Sequence, residues 1–405
     1  MNILFIHRGF PGQFKYIIQL FAQNPQNTVY FITTKDSPEL AGVKKFVYKI
    51  SARDLGNCSP VLKDYEEAIL HGQAAAKTAR QMKKEGFKPD IIYGHTWGST
   101  LFIKDIFPDV PFLCYFEWFE NAQGAVAGFD GKIPDEKKRI NIRCHNSRMY
   151  NDLCSCDAGI SPTHWQKQQF PKEFHDKIKV IHDGIDSQTC KPDSQAKFII
   201  KDKNLELSSK DEVITYATRG MEPMRGFPQF MEAVDKILKK RPKAHIVIGG
   251  LDQTFYLDPL PGNKTYKKLM LDKFKLDLNR VHFVGELEFS DYIKLLQISS
   301  AHIYLTYPFV LSWSILEAMS TGCCIVASNT PPVLEVIKDN YNGLLIDFFD
   351  VEGLVEKIEY ALDNKDKMQE IRNNARQNVL DKYEARKMME QQYNYIISLI
   401  QNKGQ

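Results

Sequence analysis

The stretch that says most about the fold is residues 307–322, which read Tyr307-Pro308-Phe309-Val310-Leu311-Ser312-Trp313-Ser314-Ile315-Leu316-Glu317-Ala318-Met319-Ser320-Thr321-Gly322. An apolar run at 302–306 precedes it and is typical of a buried strand, and a helical pattern of apolar residues begins at Ser314. The free backbone N–H groups and the partial positive charge at the start of such a helix bind phosphate well. The stretch therefore predicts a strand–loop–helix unit with an anion site in its loop.

The same alternation of a short apolar run, a loop and a helical segment recurs along the chain and predicts βαβ units with parallel sheets. Strands are expected at 2–7, 29–33, 90–93, 112–115, 156–161 and 179–181, and again at 213–218, 244–249, 281–284, 302–306 and 324–327. The polar residues 192–210 between the two sets are predicted to be a linker. Because ligands of open α/β sheets bind at the carboxyl ends of the strands, we expect two Rossmann-like α/β/α domains whose sheets face a cleft that holds the chemistry.

These patterns divide the chain into an N-terminal domain at 1–190 and a C-terminal domain at 191–384. A last helical segment at 385–405 follows two other helical segments with no strand between them. Such a terminal helix can cross back onto the first domain. A chain of 405 residues is also longer than one ordinary hydrophobic core supports, which agrees with two domains.

Composition excludes several classes of protein. The 53 Lys and Arg nearly balance the 50 Asp and Glu, so the net charge of +3 argues against bulk nucleic-acid binding. No apolar run approaches the roughly 18 residues that a membrane-spanning helix needs, and the one at the N-terminus is too short for a signal peptide. Eight irregularly spaced cysteines predict reduced thiols rather than disulfides. We expect a cytoplasmic protein; peripheral contact with the inner face of the membrane and the oligomeric state stay open.

Two serines and a glutamate at the predicted helix start allow two readings. Glu317, one turn into the helix, could accept hydrogen bonds from the vicinal hydroxyls of a ribose. The spacing Ser314-x-x-Glu317 equally fits a capping box, in which both side chains only close the helix. From the spacing alone the two readings are about even.

Two arginines lie on a second loop, between the strand at 213–218 and the helix at 226–239. Arg219 and Arg225 flank a turn that contains Gly220 and Pro223. Guanidinium groups pair bidentately with phosphate oxygens and would also stabilise a leaving diphosphate. Isolated arginines on a loop are more often solvated, and only their place after a strand favours a diphosphate clamp.

Two turns of the first domain are weaker candidates. Gly12, after the first predicted strand, would let the backbone approach a sugar or phosphate closely. His95 and Trp97, after the strand at 90–93, could orient a sugar hydroxyl and face the ring. No D-x-D motif follows an apolar strand, so we expect no metal and no cofactor.

Together these segments resemble the retaining glycosyltransferases of the GT-B fold, family 4, the glycosyl transferases group 1. The resemblance is strongest from 213 to 347 and is carried by five short pieces: Arg219 with Arg225-Gly226, Ile248-Gly249-Gly250, Phe283-Val284-Gly285-Glu286, Leu316-Glu317-Ala318-Met319-Ser320-Thr321-Gly322 and Asn342-Gly343-Leu344-Leu345-Ile346. In the first half, Phe10-Pro11-Gly12-Gln13-Phe14, Tyr115-Phe116-Glu117-Trp118-Phe119 and Ser161-Pro162-Thr163-His164-Trp165-Gln166 resemble a subgroup of that family.

The resemblance implies roles at the matching positions. The first domain would be the acceptor side, with His95 near the reacting sugar. The second would hold the donor, with Glu317 on the ribose and Arg219 and Arg225 on the diphosphate. The implied donor site is completed by Gly12, Glu286, Ser312, Trp313, Ser314 and Ile315. His95, Arg219 and Arg225 would be the catalytic residues.

One position departs from the family pattern. Members commonly carry two glutamates eight residues apart, the first of which contacts the donor sugar, and here that first position is Phe309. Ser312, Trp313 and Ser314 would take over its contacts. The family also normally has lysine at the position of Arg225, which keeps the charge.

The function that the sequence favours is retaining transfer of a hexose-type sugar, from a donor expected to be UDP-linked, to a glycan, a lipid-linked acceptor or another surface-polysaccharide acceptor. A catalytically silent GT-B subunit that partners another glycosyltransferase is the main alternative, and Phe309 favours it slightly. A GT-B nucleotide-sugar epimerase or a phosphorylase also stays open.

Overall fold

The computed structural model describes residues 1–50 and 59–402. The chain forms two compact units, one made of Met1–Gly184 together with Ala385–Gln405, and the other of Ile185–Glu384. Each contains a parallel β-sheet with helices between its strands, so both belong to the α/β class that the sequence predicts.

The sheet of the first unit has seven parallel strands in the order β3-β2-β1-β4-β5-β6-β7. The strands are β1 (Asn2–Ile6), β2 (Thr28–Thr33), β3 (Val43–Val47), β4 (Ile91–His95), β5 (Phe112–Tyr115), β6 (Ala158–Ser161) and β7 (Ile178–Val180). The helices between them are α1 (Lys15–Ala22), α2 (Lys63–Lys84), α3 (Ile103–Ile106), α4 (Glu136–Ser155) and α5 (His164–Gln169). Alternate residues of β1 enter two separate cores, Leu4 and Ile6 on one face and Ile3 and Phe5 on the other, so the sheet is buried on both faces.

The sheet of the second unit has six parallel strands in the order β12-β11-β10-β13-β14-β15, and a separate antiparallel hairpin, β8-β9, precedes it. The strands are β8 (Lys197–Ile200), β9 (Leu205–Ser208), β10 (Val213–Gly220), β11 (His245–Leu251), β12 (Val281–Gly285), β13 (Ala301–Tyr304), β14 (Ile325–Ser328) and β15 (Leu344–Ile346). The helices are α6 (Phe227–Lys240), α7 (Tyr266–Lys273), α8 (Phe289–Gln297), α9 (Trp313–Thr321), α10 (Pro331–Leu334), α11 (Val351–Asp363) and α12 (Lys365–Lys382).

The last helix, α13 (Ala385–Asn402), belongs to the first unit although it follows the whole second unit in sequence. Its Ile396 is fully buried in the core that contains β1 and α1, and the rings of Tyr393 and Phe21 lie 5.3 Å apart. Gly184, at φ +94°, allows the close approach at the end of the first unit, because a Cβ there would stand 2.6 Å from the Cα of Ala385. The unit boundary thus lies a few residues before the one predicted at 190, and residues 403–405 of the predicted last segment lie outside the described residues.

The predicted linker at 192–210 is wrong, because most of it forms the β8-β9 hairpin. The side chains of Phe198, Ile200 and Leu207 are buried against Val213, Val247 and two residues of the α8 region, so the segment has its own apolar face. The alternate residues Lys197, Ile199 and Glu206 are exposed on the other face. The alternation of buried and exposed residues with period two, rather than the overall polarity of the segment, indicates that it forms strands and not a linker.

Among the described residues, no helix combines the length and the apolar character needed to cross a bilayer. The cysteines of this part of the chain are free thiols, and of these only Cys144 and Cys154 are not buried.

Candidate functional site

A cavity of about 260 Å³ opens at the carboxyl ends of β10, β11 and β13 in the second unit. β10 is the strand at which the order of this sheet reverses, and such a switch point is where open α/β sheets bind ligands. The lining residues are Tyr216, Ala217, Thr218, Arg219, Arg225, Gly249, Gly250, Leu251, Tyr256, Glu286, Leu287, Tyr292, Ile303, Tyr304, Leu305, Ser312 and Ser314.

The loop between β10 and α6 places both predicted arginines on this cavity. The chain turns through a short 3-10 segment at Pro223–Arg225, and Gly226, at φ +67°, then starts α6. A Cβ at Gly226 would stand 2.4 Å from the Cβ of Leu305, so only glycine lets the loop lie this close to the end of β13.

Arg225 is a buried cation without a carboxylate partner. Its side chain is nearly inaccessible, its Nη1 donates to Thr306 Oγ1 at 2.7 Å, and its guanidinium lies 5.0 Å from the ring centre of Tyr256. Within residues 1–50 and 59–402, no acidic oxygen lies within 4.0 Å of it. Glu222 acts on Arg225 electrostatically from farther away. A buried charge without a direct ion pair is costly, and an anion bound in the cavity would lower that cost.

Arg219 lies at the end of β10 and stacks on the ring of Phe255, with 4.1 Å between the guanidinium carbon and the ring centre. The turn that carries Phe255 is held by Glu222, whose carboxylate accepts hydrogen bonds from the backbone N–H groups of Phe255, Tyr256 and Leu257, each at 3.2 Å. Glu222 is fully buried, and burial raises its pKa. One carboxylate thus ties the arginine loop to the aromatic turn beside it.

The start of α9 differs from the capping box considered from the sequence. The N-cap is Ser312, whose Oγ accepts from the N–H of Ser314 at 3.2 Å, so Ser314 already lies inside the helix. The capping-box reading of Ser314 and Glu317 is therefore wrong. The hydroxyls of Ser312 and Ser314 lie 2.6 Å apart, and both residues line the cavity.

The remaining predicted residues of α9 lie beside the cavity rather than on it. Trp313 is 38% exposed, Ile315 is fully buried and Glu317 is half-buried. Glu317 reaches the cavity wall through Tyr292, whose pKa is raised well above its ordinary value, first by burial and then by the charge of Glu317.

Glu286 follows the end of β12, where Gly285 has φ +69°, and its exposed side chain lines the cavity. The structure thus gathers Arg219, Arg225, Glu286, Ser312 and Ser314 around one cavity of the second unit. Gly12 and His95 belong to the first unit.

His95 is the last residue of β4 and lies fully buried at the carboxyl edge of the first sheet. Its ring stacks on that of Tyr115, with ring centres 5.2 Å apart. It packs edge to face against His7 and Trp97, with ring centres 4.5 and 4.4 Å away. Neither ring nitrogen has a hydrogen-bond partner among the described residues. Burial, and then the charge of His7, lower its pKa well below the ordinary value, so the imidazole is neutral.

A carboxylate that the sequence did not single out as a site residue lies next to His95. Glu117 Oε2 is 3.7 Å from His95 Nε2, and its Oε1 accepts from Gln13 Nε2 at 2.8 Å. Gln13 Oε1 in turn lies 2.8 Å from His7 Nε2. Gly12 lies directly against this chain of hydrogen-bonded side chains, because a Cβ at Gly12 would stand 2.9 Å from the ring of His7. The carboxyl edge of the sheet in the first unit therefore holds a connected group of polar side chains, made of His7, Gln13, Glu117 and His95.

We expect the Glu117→Gln variant to become more stable relative to wild type as the pH rises. Burial, and then the charge of Asp183, raise the pKa of Glu117 to about 7 from 4.5. The folded state then holds the proton more tightly than the unfolded state, so ionisation of Glu117 costs stability between pH 4.5 and 7. Glutamine never ionises, and we expect the free energy of unfolding of Glu117→Gln minus wild type to rise by about 2 kcal/mol from pH 5 to pH 8. Urea titrations at both pH values measure it, and a difference independent of pH would contradict it.

Sequence reasoning missed three residues of these sites, namely Glu222, Tyr256 and Glu117. Glu222 lies in the loop between Arg219 and Arg225, and Glu117 lies in the segment Tyr115-Phe116-Glu117-Trp118-Phe119, so the position of each could have suggested it. Tyr256 lies in an irregular loop with no periodic pattern. Throughout the described part of the chain, no three His, Cys, Asp or Glu side chains are grouped as a metal site requires.

Comparison with protein families and solved structures agrees with this architecture. Residues 25–190 match the model of the glycosyl transferase family 4 group, and residues 198–378 match the model of the glycosyl transferases group 1. An uncharacterized glycosyltransferase of Methanocaldococcus jannaschii is 22% identical over 302 residues, which cover 73% of this chain and 72% of that protein.

Two solved structures share the fold over almost the whole chain. HepE of Anabaena, crystallised with UDP, has a TM-score of 0.68 at 16% identity and covers 98% of this chain and 100% of its own. Sucrose-phosphate synthase of Thermosynechococcus elongatus has a TM-score of 0.73 at 15% identity and covers 99% and 100%. The two family matches together span most of the sequence, and each falls on one parallel-sheet unit. The chain therefore belongs to the group 1 glycosyltransferases of the GT-B fold.

Proposed function

We propose that this glycosyltransferase moves a hexose-type sugar, with retention of configuration, from a UDP-sugar to a glycan, a lipid-linked acceptor or another surface-polysaccharide acceptor in the cytoplasm. The observation that carries the donor assignment is Arg225, a buried cation without a carboxylate partner at the switch-point cavity. HepE of Anabaena has been crystallised with UDP and with UDP-glucose, which supports a uridine nucleotide as the first donor to test.

In this proposal the second unit binds the nucleotide. Arg225 and Arg219 neutralise the diphosphate, and the start of α9 at Ser312 adds backbone N–H groups and the positive end of a helix dipole. Glu317 accepts from the ribose hydroxyls with Tyr292 at its side. With two guanidinium groups supplying the positive charge, the leaving diphosphate needs no metal ion.

The first unit provides the acceptor side. His95 is neutral, and its two buried ring nitrogens have no hydrogen-bond partner among the described residues, so one can donate to and the other accept from a sugar hydroxyl that reaches them. Glu117 next to it offers a second acceptor atom. We assign the reacting sugar's orientation to these two residues.

Retention would follow from front-face displacement, in which the leaving phosphate takes the proton of the incoming hydroxyl. The expected result is a product with the same anomeric configuration as the donor. Proton NMR of the anomeric signal during turnover measures it directly. A product of opposite configuration would contradict the retaining assignment and leave the donor site intact.

Nucleotide binding tests the donor site itself. We expect calorimetry in EDTA to detect binding of UDP in preference to GDP and ADP, and we expect Glu317→Ala to weaken UDP binding at least tenfold, because a charged hydrogen bond contributes about 1.5–3 kcal/mol. Glu356→Ala, another glutamate of the second unit that lies outside the cavity, serves as the matched control. Binding that requires added Mg²⁺ would contradict the metal-independent part of the proposal.

A catalytically silent GT-B subunit is the second candidate function, and Phe309 at the position of a family glutamate is the observation that favours it. Such a subunit has no need of a diphosphate clamp. Absence of binding for all three nucleotides would favour it, and transfer of a sugar by the purified protein would exclude it.

A further inference from the structure

Phe309, at the position where the family commonly has a sugar-contacting glutamate, packs against a tyrosine at the cavity. The rings of Phe309 and Tyr256 meet edge to face, with centres 5.3 Å apart and planes at 61°. The guanidinium of Arg225 lies 5.0 Å from the Tyr256 centre and 6.0 Å from that of Phe309. Tyr256 lines the cavity and is 39% exposed. An aromatic pair over the diphosphate clamp therefore occupies the place of the missing carboxylate.

The structure fixes Tyr256 in this position from the other side. Three backbone N–H groups of its turn donate to the buried carboxylate of Glu222. The turn also lies so close to the end of β10 that a Cβ at Gly220 would stand 2.4 Å from the carbonyl oxygen of Gln253 and 2.6 Å from the ring of Phe255. The turn that presents Tyr256 at the cavity is therefore held at two points, by a buried acid and by a close backbone contact.

We propose that Tyr256 contacts the donor sugar, with Phe309 and Glu222 as positioning residues, so that this enzyme recognises the sugar by an apolar face rather than by a carboxylate–hydroxyl bond. The inference rests on the proposed donor site. Hexoses carry faces of adjacent C–H groups with partial positive charge, and the face of an aromatic ring is negative, so the two attract. The substrate class is a nucleotide-linked neutral hexose that presents several adjacent C–H groups on one side.

The test compares the dissociation constants of UDP and UDP-glucose, because only the second carries a sugar. For Tyr256→Leu we expect the ratio of the UDP-glucose constant to the UDP constant to rise roughly three- to tenfold over wild type, as the loss of an aromatic contact predicts. Tyr256→Phe keeps the ring and should keep the wild-type ratio. Tyr360→Leu, which removes a tyrosine of equal exposure (40%) outside the cavity, is the matched control.

Phe309→Leu should raise the same ratio, and Phe309→Tyr, which keeps a ring at this position, should keep the wild-type ratio. An unchanged ratio in Tyr256→Leu, with UDP binding intact, overturns the inference and leaves the proposed function standing. A wild-type protein that binds UDP but none of UDP-glucose, UDP-galactose and UDP-N-acetylglucosamine overturns it as well. If the wild type binds no nucleotide, the proposed function fails first and the inference with it.

Discussion

Replacing Arg225 with glutamine is expected to lower kcat/KM for the donor by about 100- to 1000-fold, the range found when one preorganised group that stabilises developing negative charge is removed. Arg225 is held by Thr306 and by the ring of Tyr256 rather than by a carboxylate, so its charge is directed at the cavity. Glutamine keeps a hydrogen-bond donor but removes the charge, and its side chain is shorter than that of arginine. Steady-state kinetics with the donor found by the nucleotide screen would measure the effect.

Arg225→Lys is the matched variant, because lysine is the residue that the family commonly has at this position. Lysine keeps the positive charge and lacks the planar guanidinium group, so we expect kcat/KM for the donor to fall by about tenfold or less. Unfolding temperatures of both variants should be compared with wild type. Equal losses for glutamine and lysine at unchanged stability would show that the geometry of the guanidinium, and not its charge, is what matters.

Gly250→Ala is expected to lower the free energy of unfolding of the second unit by about 3 kcal/mol or more. Gly250 has φ +132°, a conformation nearly confined to glycine, and a Cβ there would stand 2.2 Å from the carbonyl oxygen of Thr218. β10 and β11 pair on both sides of this point, at Ala217 with Gly249 and at Gly220 with Leu251, and the register shifts between these pairs. Backbone movement away from the new Cβ would disturb the pairing on both sides. Hydrogen exchange of the β10 and β11 amides would measure the loss.

Gly285→Ala separates strain from steric clash. Gly285 also has positive φ, at +69°, but a Cβ there would meet nothing within 4 Å. Alanine should therefore cost only about 1–2 kcal/mol, the usual penalty of the left-handed conformation. If the two variants lose the same stability, the close contact between Gly250 and Thr218 does not contribute.

The parallel sheets follow from apolar runs such as those of β1, β4, β10 and β13, because a strand that is buried on both faces is apolar along its whole length. β3 was not predicted, since Lys44 and Lys45 interrupt its sequence. At the edge of the sheet their charged ends find other partners, Lys45 lying 3.2 Å from Glu39 and 4.9 Å from the ring centre of Phe10. An edge strand needs fewer apolar residues than a central one, and its pattern is correspondingly weak.

The extent of helix α4 (Glu136–Ser155) is not predicted from the apolar pattern, for a related reason. Residues 136–140, in its first turns, are exposed and largely charged, which is typical of a solvated helix face. The buried side of α4 is formed by Ile142, Asn146, Met149 and Leu153, and Asn146 bonds to both backbone groups of Glu120. A polar residue within the buried stripe hides the helical period from a reading based on apolar residues alone.

Some residues of the candidate site could also be predicted from the sequence, and others could not. Arg219, Arg225, Ser312 and Ser314 could be placed from sequence, because loops that follow parallel strands converge on one sheet edge. Glu222 lies in the same loop as the two arginines, but its contact with the turn of Tyr256 could not be predicted, because the two loops are far apart in sequence. No propensity or period encodes three backbone N–H groups that converge on one carboxylate.

That α13 completes the core of the first unit has a consequence for the order in which the protein forms during translation. The ribosome releases residues 1–184 first, yet the apolar surface that Ile396, Leu399 and Ile400 cover stays open to water until the last helix has emerged. The second unit, continuous in sequence from Ile185 to Glu384, has all its residues available earlier. The half that is synthesised first is therefore the half whose core is completed last.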